Sequence, residues 1–177
     1  QLGEALFFDE RLSGNAMVSC ATCHDPDQGF SDGLPFSIGI GQTRRHSPHL
    51  YNIGFQRWFY WDGRRDTLWG QALVPLEKDA EMGSDRVSIL RLIADDDQYR
   101  TQFEALFGPL PTDLLASIDG PAKPMPKLEI DPRHIRWSAL PMEAQFQINE
   151  AFSQVGKTIA AFEMTIITGT TPFDTFV

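Results

Sequence analysis

Two cysteines and a histidine stand together near the start of the chain, in the segment Cys20-Ala21-Thr22-Cys23-His24. The chain contains no other cysteine. Two thiols at this spacing can form thioether bonds to the two vinyl groups of a haem, and the adjacent imidazole can then bind the iron. The pattern therefore predicts one covalently attached haem c, with His24 as an iron ligand on one side.

Other uses of the C-x-x-C pair fit the sequence less well. A Cys20–Cys23 disulfide would close a very small loop and would stabilise the fold little. A thioredoxin-like motif needs a strand before it, and residues 14–19 show no strand alternation. A zinc site needs a fourth ligand, which His46 or His49 could supply, so a zinc-stabilised interaction domain stays an alternative. Otherwise these two histidines are expected to be simple surface residues.

Composition indicates a globular chain with an acidic surface. Of the 177 residues, 42% are hydrophobic, so the chain can bury a core as a single domain, 1–177. The formal net charge of −9 argues against nucleic acid as a partner and is compatible with a small basic electron donor. No apolar run is long enough to span a membrane. Because haem c is attached outside the bacterial cytoplasm, we expect a periplasmic protein, with Gln1 after a removed leader or within a trimmed chain.

The elements that must position the motif are predicted to be helices, because no segment shows the alternation of a sheet strand. Pro75 is expected to interrupt or kink one helix. The clearest helix is the last one, which carries one apolar stripe and is expected to end at Gly169. Its apolar residues are Ile148, Phe152, Val155, Ile159, Phe162 and Ile166. Further helices are predicted over residues 2–8, from Asp66 through Leu73, from Ser84 or Asp85 through Ala94, and up to Phe107 before Gly108-Pro109.

Two stretches lack sustained periodicity. Residues 25–65 are punctuated by glycine and aromatic residues, and so long an irregular stretch needs a large group such as haem to pack on. Residues 109–141 hold seven of the twelve prolines, which predicts a mostly extended surface insertion with one turn of helix near Leu114 and Leu115. The predicted fold is thus mostly α, a c-type cytochrome domain with long irregular loops packed around one covalent haem.

Several ordered blocks of sequence resemble a known family. They are similar to the N-terminal, peroxidatic domain of bacterial di-haem cytochrome c peroxidases and of the related di-haem enzyme that matures tryptophan tryptophylquinone. That family carries a second C-x-x-C-H, so this chain is expected to lack the second haem domain. The resemblance covers most of the chain except 109–141. Its blocks include Leu2-Gly3-Glu4-Ala5-Leu6-Phe7-Phe8-Asp9, Phe59-Tyr60-Trp61-Asp62-Gly63-Arg64, Gln71 with Pro75 and Glu81-Met82, and Pro172-Phe173-Asp174.

The resemblance implies roles for the residues around the iron. His24 is the proximal ligand, while Gln71 and Glu81 occupy the distal pocket, where Pro75 packs. Cleavage of a peroxide O–O bond needs a base that moves a proton from one oxygen to the other, and Glu81 suits this if burial raises its pKa. Gln71 would orient the peroxide. Because Pro75 lacks an N–H, it frees a backbone carbonyl.

Trp61 and Arg64 extend the implied site, and two other positions depart from the family pattern. Trp61 would carry electrons between haems, with core packing as its alternative role, and Arg64 would pair with a haem propionate. Ile40 stands where many members have a histidine that caps the resting iron, which predicts an open or water-bound iron. His46 stands where the family places an asparagine near an interdomain calcium, and this weakens the case for calcium, which prefers oxygen ligands.

Together these features predict a haem-dependent peroxidase domain, a cytochrome c peroxidase-like oxidoreductase. It would reduce hydrogen peroxide with electrons from a second haem domain or from a donor such as a cytochrome or cupredoxin. Two alternatives stay open. The same haem could oxidise side chains of a protein partner, which Ile40 favours, or the chain could be a plain electron-transfer cytochrome in which Met82 binds the iron.

Overall fold

Helices supply the regular structure of the computed structural model, which describes residues 1–177. Extended backbone pairs only in three isolated bridges, so the prediction of a mostly α fold is confirmed. No helix is both long and apolar enough to cross a membrane. The α-helices are α1 (Leu2–Phe8), α2 (Cys20–Cys23), α3 (Leu68–Glu77), α4 (Arg86–Asp95), α5 (Asp97–Phe107), α6 (Thr112–Ser117), α7 (Pro132–Ala139), α8 (Met142–Glu163) and α9 (Pro172–Phe176).

The long helix α8 packs against α1 and α3 at the centre of the fold. Glycines let these backbones approach closely. A Cβ on Gly3 would lie 1.8 Å from the carbonyl oxygen of Thr158, and a Cβ on Gly156 would lie 2.6 Å from that of Trp69. Along the predicted stripe on α8, Ile148, Phe152, Val155 and Ile159 are buried in the core, and Phe162 is partly buried against it.

The helix α8 ends at Glu163, six residues before the predicted end at Gly169. The reason is a long-range contact. The backbone N–H of Asn52 donates to the carbonyl of Ile166 at 2.8 Å, and the Asn52 side-chain amide donates to the Thr168 hydroxyl at 3.1 Å. These bonds hold the chain after α8 against residue 52, so Ile166 is buried outside the helix.

The predicted turn of helix near Leu114 and Leu115 is confirmed by α6, but the prediction that 109–141 is otherwise a mostly extended surface segment is wrong, because it also contains α7 and part of the core. Its prolines mark helix starts: Pro111 and Pro141 precede α6 and α8, and Pro132 is the first residue of α7. At such positions the missing N–H costs nothing, since the first N–H groups of a helix have no partner within it. The buried side chains of this segment include Leu110, Leu115, Ile118, Ala122, Lys123 and Trp137.

The remaining helix boundaries follow the sequence closely. Asp85 caps α4 as predicted, accepting the backbone N–H groups of Val87 and Ser88. The helix α3 begins after Thr67, one residue later than an Asp66 cap would place it, and it continues through Pro75 to Glu77. Of the two effects expected of Pro75, to interrupt or to kink the helix, interruption does not occur.

Candidate functional site

One large cavity of about 800 Å³ lies between α2, α3, the end of α8 and the irregular residues 37–61. Its volume falls within the range of small-molecule and cofactor pockets. The fold brings all eight predicted site residues to the wall of this cavity. They are Cys20, Cys23, His24, Trp61, Arg64, Gln71, Pro75 and Glu81.

The cysteines are presented by the short helix α2. Ser19 and Thr22 form a reciprocal capping box at its start, which holds the four-residue helix in place. Cys20 and Cys23 are both free, and burial raises the pKa of each thiol, that of Cys23 to about 11. No group of three or more His, Cys, Asp or Glu side chains has the geometry to hold a metal ion, so the structure gives no support to the zinc alternative.

The His24 imidazole is oriented by the backbone of Phe30. Its Nδ1 lies 3.0 Å from the Phe30 carbonyl oxygen, and Phe30 has the left-handed backbone conformation, with φ of 56°. A carbonyl can only accept, so Nδ1 carries the proton and Nε2 is an acceptor, with the Ser47 hydroxyl oxygen 3.4 Å away. Burial lowers the pKa of His24, so the ring is held neutral. A neutral imidazole with an unprotonated Nε2 is the form that binds a metal.

Gln71 and Pro75 lie one turn apart on α3 and both face the cavity. Because Pro75 has no N–H, the Gln71 carbonyl lacks its usual partner within the helix. The Tyr60 hydroxyl donates to this carbonyl at 3.4 Å, and burial raises the pKa of Tyr60. The freed carbonyl thus connects α3 to the irregular segment that also carries Trp61 and Arg64.

Glu81 projects from the loop between α3 and α4, residues 78–84. Its carboxylate accepts from Lys78 Nζ at 2.7 Å, and its side chain is 19% exposed. The loop backbone is bound at both sides: the Met82 N–H donates to the Pro75 carbonyl at 3.1 Å, and the Glu81 carbonyl accepts from Ile40 at 2.9 Å. The Glu81 side chain is therefore carried by a loop of fixed backbone.

Trp61 is 62% exposed, so core packing is not its role. Its Nε1 donates to the His46 carbonyl at 2.9 Å, which fixes the indole at the rim of the cavity. Arg64 stacks over the Tyr60 ring at 3.5 Å and donates to Asp62 at 2.7 Å. The Ile40 side chain does not line the cavity, because it lies against Gly83 of the Glu81 loop.

The two loop histidines both contribute to the cavity wall. His49 is exposed, as expected of a surface residue, whereas His46 is only partly exposed. The His46 Nδ1 lies 2.7 Å from the Leu34 carbonyl oxygen. This contact anchors residues 34–46, which form one side of the cavity.

The sequence prediction missed Glu163 and Arg44. Glu163 is 4% exposed and lines the cavity, and its Oε2 has no hydrogen-bond partner. Burial raises its pKa to about 8. A sequence signal existed, because Glu163 follows Ile159 by four positions and so lies on the apolar face of α8. Arg44 also lines the cavity and, unlike Arg45 and Arg64, pairs with no carboxylate.

Known proteins resemble this chain in sequence and in structure. The chain is 40% identical to the methylamine utilization protein MauG of Methylorubrum extorquens over 109 residues, which cover 60% of this chain and 31% of that protein. It is 36% identical to the cytochrome c551 peroxidase of Pseudomonas aeruginosa over 109 residues, which cover 60% of this chain and 32% of that protein. A solved MauG-like protein associated with microbial copper homeostasis aligns with a TM-score of 0.67 at 25% identity, covering 99% of this chain and 42% of that one.

The chain spans about a third of the length of these curated relatives. A family model described as di-haem cytochrome c peroxidase matches residues 1–177, the whole chain. This match agrees with the helical fold and with the cavity that is lined by the C-x-x-C-H residues together with Gln71 and Glu81. The chain therefore belongs to the di-haem cytochrome c peroxidase family, and this membership implies a haem c cofactor.

Proposed function

We propose that this chain is the peroxide-reducing haem domain of a periplasmic di-haem peroxidase. The observation that carries the proposal is the single cavity wall shared by the attachment motif and by Gln71 and Glu81. The chemistry of the wall fits a haem c, because both thiols are free and His24 presents an unprotonated Nε2. When bound, the haem supplies the redox-active iron at which the O–O bond of hydrogen peroxide is cleaved.

Glu81 and Gln71 act on the peroxide itself. Glu81 accepts the proton of one peroxide oxygen and returns it to the other, which leaves as water. The Gln71 amide donates a hydrogen bond that orients the peroxide. Lys78 holds the Glu81 carboxylate at the wall of the cavity. Complete reduction of one hydrogen peroxide to two waters consumes two electrons and two protons.

Cationic side chains at the cavity hold the carboxylates of the cofactor. Arg44 is the strongest candidate, because its guanidinium lines the cavity and has no carboxylate partner within the chain. Arg64 adds to the positive charge but already donates to Asp62. A guanidinium suits a carboxylate because it can donate two parallel hydrogen bonds.

Trp61 connects the cavity to the surface and serves as the route of electron entry. Its indole lines the cavity and is largely exposed. The electrons come from the second haem domain, which is supplied in turn by a cytochrome or cupredoxin. The alternative function is oxidation of side chains of a protein partner by the same haem. It is supported by the same exposed indole and by the similarity to MauG.

A plain electron carrier is the competing function. The Met82 side chain lines the cavity and is 2% exposed, so it lies within the same wall as His24. An absorption band for methionine-to-iron charge transfer in the oxidised protein would favour the carrier. Its absence, together with a fast absorbance change on adding peroxide, favours the peroxidase.

The role of Glu81 is tested by stopped-flow absorbance after one equivalent of hydrogen peroxide. Because a positioned acid–base group contributes roughly a hundredfold or more, the fast change in the haem spectrum should slow by that factor in Glu81→Gln. Glu129→Gln is the matched control, since this carboxylate is exposed and far along the chain. An unchanged rate in Glu81→Gln would refute the proposed base.

A further inference from the structure

Lys123 is the one lysine or arginine that the fold buries fully, at 2% exposure. Its ammonium donates to the Ser84 carbonyl at 3.0 Å, to Asp79 Oδ1 at 3.1 Å, and to the Glu77 carbonyl. A lysine has three donors, so all of them are used. Burying a charge is costly unless it is paired and hydrogen-bonded, which marks these contacts as specific.

The acceptors of Lys123 lie at the two ends of the Glu81 loop, residues 78–84. Glu77 is the last residue of α3, and its carbonyl has no partner within that helix. Ser84 ends the loop just before the α4 cap. By bonding both carbonyls, one ammonium bridges the base of the loop, which the Ser84 N–H also closes by donating to the Leu76 carbonyl at 2.9 Å. The loop in between holds the Glu81 side chain at the cavity.

Lys123 is itself held in place from both sides. The N–H of the preceding residue, Ala122, donates to buried Asp85 at 2.9 Å. Arg133 of α7 donates to Asp79 at 2.9 Å, so the same carboxylate receives two cations. The lysine thus has little freedom to move away from the loop.

From this geometry we infer that Lys123 is a positioning residue for Glu81, through which the proline-rich segment 109–141 controls the distal side of the cavity. The inference rests on the proposed role of Glu81 in peroxide reduction. Without the ammonium, the Glu77 and Ser84 carbonyls lose a buried donor, and the loop between them can open. The side chain of Lys123 touches neither the cavity nor the reacting atoms, so its effect passes through the loop.

Hydrogen exchange on the haem-loaded protein tests this inference without reference to activity. In Lys123→Met, the peptide covering 78–84 should exchange roughly tenfold faster, while the peptide covering 148–160 in α8 should not change. Lys127→Met is the matched control, because Lys127 is an exposed lysine of the same segment. Equal exchange of 78–84 in both variants overturns the inference, and so does a uniform increase along the whole chain.

A milder variant serves if Lys123→Met does not fold. Asp79→Asn weakens the carboxylate that accepts from both Lys123 and Arg133. It leaves no buried cavity, since the Asp79 side chain is 55% exposed. A smaller increase in exchange, again confined to 78–84, supports the inference. Exchange at the wild-type rate overturns it.

Peroxide kinetics then connect Lys123 to Glu81. Because a small misplacement of a catalytic group is costly, Lys123→Met should slow the fast spectral change roughly tenfold. It should have no further effect in a Glu81→Gln background, since the two residues would act through one carboxylate. If the rate losses of the two single variants multiply in the double variant, the inference is contradicted. A wild-type protein that does not react with peroxide refutes the proposed function instead, and leaves the exchange test intact.

Discussion

Glu163 is a carboxyl group whose behaviour is set by burial. No charged partner compensates for its removal from water, and burial raises its pKa to about 8 from an ordinary 4.5. In the unfolded chain it ionises near its ordinary value, whereas in the folded protein it keeps its proton up to about pH 8. The folded state therefore binds more protons in this interval, and its stability falls as the pH rises.

Replacing this carboxyl with a neutral amide should remove that pH dependence. Each pH unit between the two pKa values costs the wild type about 1.4 kcal/mol. Urea unfolding at about pH 5 and about pH 8 should show Glu163→Gln gaining stability over the wild type at the higher pH. Glu150→Gln, an exposed site on the same helix, should show no such gain. A constant difference between wild type and Glu163→Gln at both pH values would contradict the assignment.

Ile40 bears on what binds the iron opposite His24. An aliphatic side chain cannot ligate iron, and this one packs against Gly83 rather than lining the cavity. We therefore expect the oxidised protein to contain high-spin iron that is open or bound to water, with no need for prior reduction. Electron paramagnetic resonance of the oxidised protein measures this, and a purely low-spin signal would refute it.

The packing of α1 on α8 is the helix contact with the least room for change. A Cβ at Gly3 would fall 1.8 Å from the Thr158 carbonyl oxygen. This oxygen belongs to the backbone of α8, which cannot move aside as easily as the end of a flexible side chain. Gly3→Ala should therefore destabilise the protein by about 1–3 kcal/mol even though alanine favours helix. Chemical denaturation checks this against Gly169→Ala, where nothing lies within 4 Å and we expect a change within about 0.5 kcal/mol. Equal stability of both variants would show that α1 can shift.

The segment 109–141 shows how charged side chains can replace helical hydrogen bonds. Arg91 of α4 donates to the carbonyls of Leu115, Ile118 and Gly120. Buried carbonyls in the last turn of a helix or beyond it need such partners. These bonds, with those of Lys123, hold an otherwise irregular chain against α4 and the Glu81 loop.

Across the whole molecule, Trp61 lies where the cavity meets the surface. If electrons enter through this indole, Trp61→Phe should lower steady-state turnover with a reduced donor several-fold, because the supply of electrons is slowed. The single-turnover reaction with peroxide should be unchanged, since that step needs no external electron. Comparing the two rates on the same preparation separates entry from chemistry. A loss confined to the single-turnover step would assign Trp61 to the cavity chemistry instead.

The amino-acid sequence alone predicts the C-x-x-C-H attachment motif, and it was sufficient for most helices. Cys20, Cys23 and His24 lie within five consecutive residues, so their relative placement depends on one short helix. The stripe on α8 and the Asp85 cap are likewise local patterns. Gln71 and Glu81 were found through resemblance, and the fold places both at the same cavity as the motif.

Only the tertiary structure shows that Lys123 and Glu163 are buried. Lys123 donates to a carbonyl 46 residues away, and the end of α8 depends on Asn52, 116 residues from Thr168. No local pattern encodes such contacts, because burial and its partners arise from chain segments that meet only on folding. Spacing along the chain determines which groups can attach a cofactor, whereas long-range packing decides which ionisable side chains are buried.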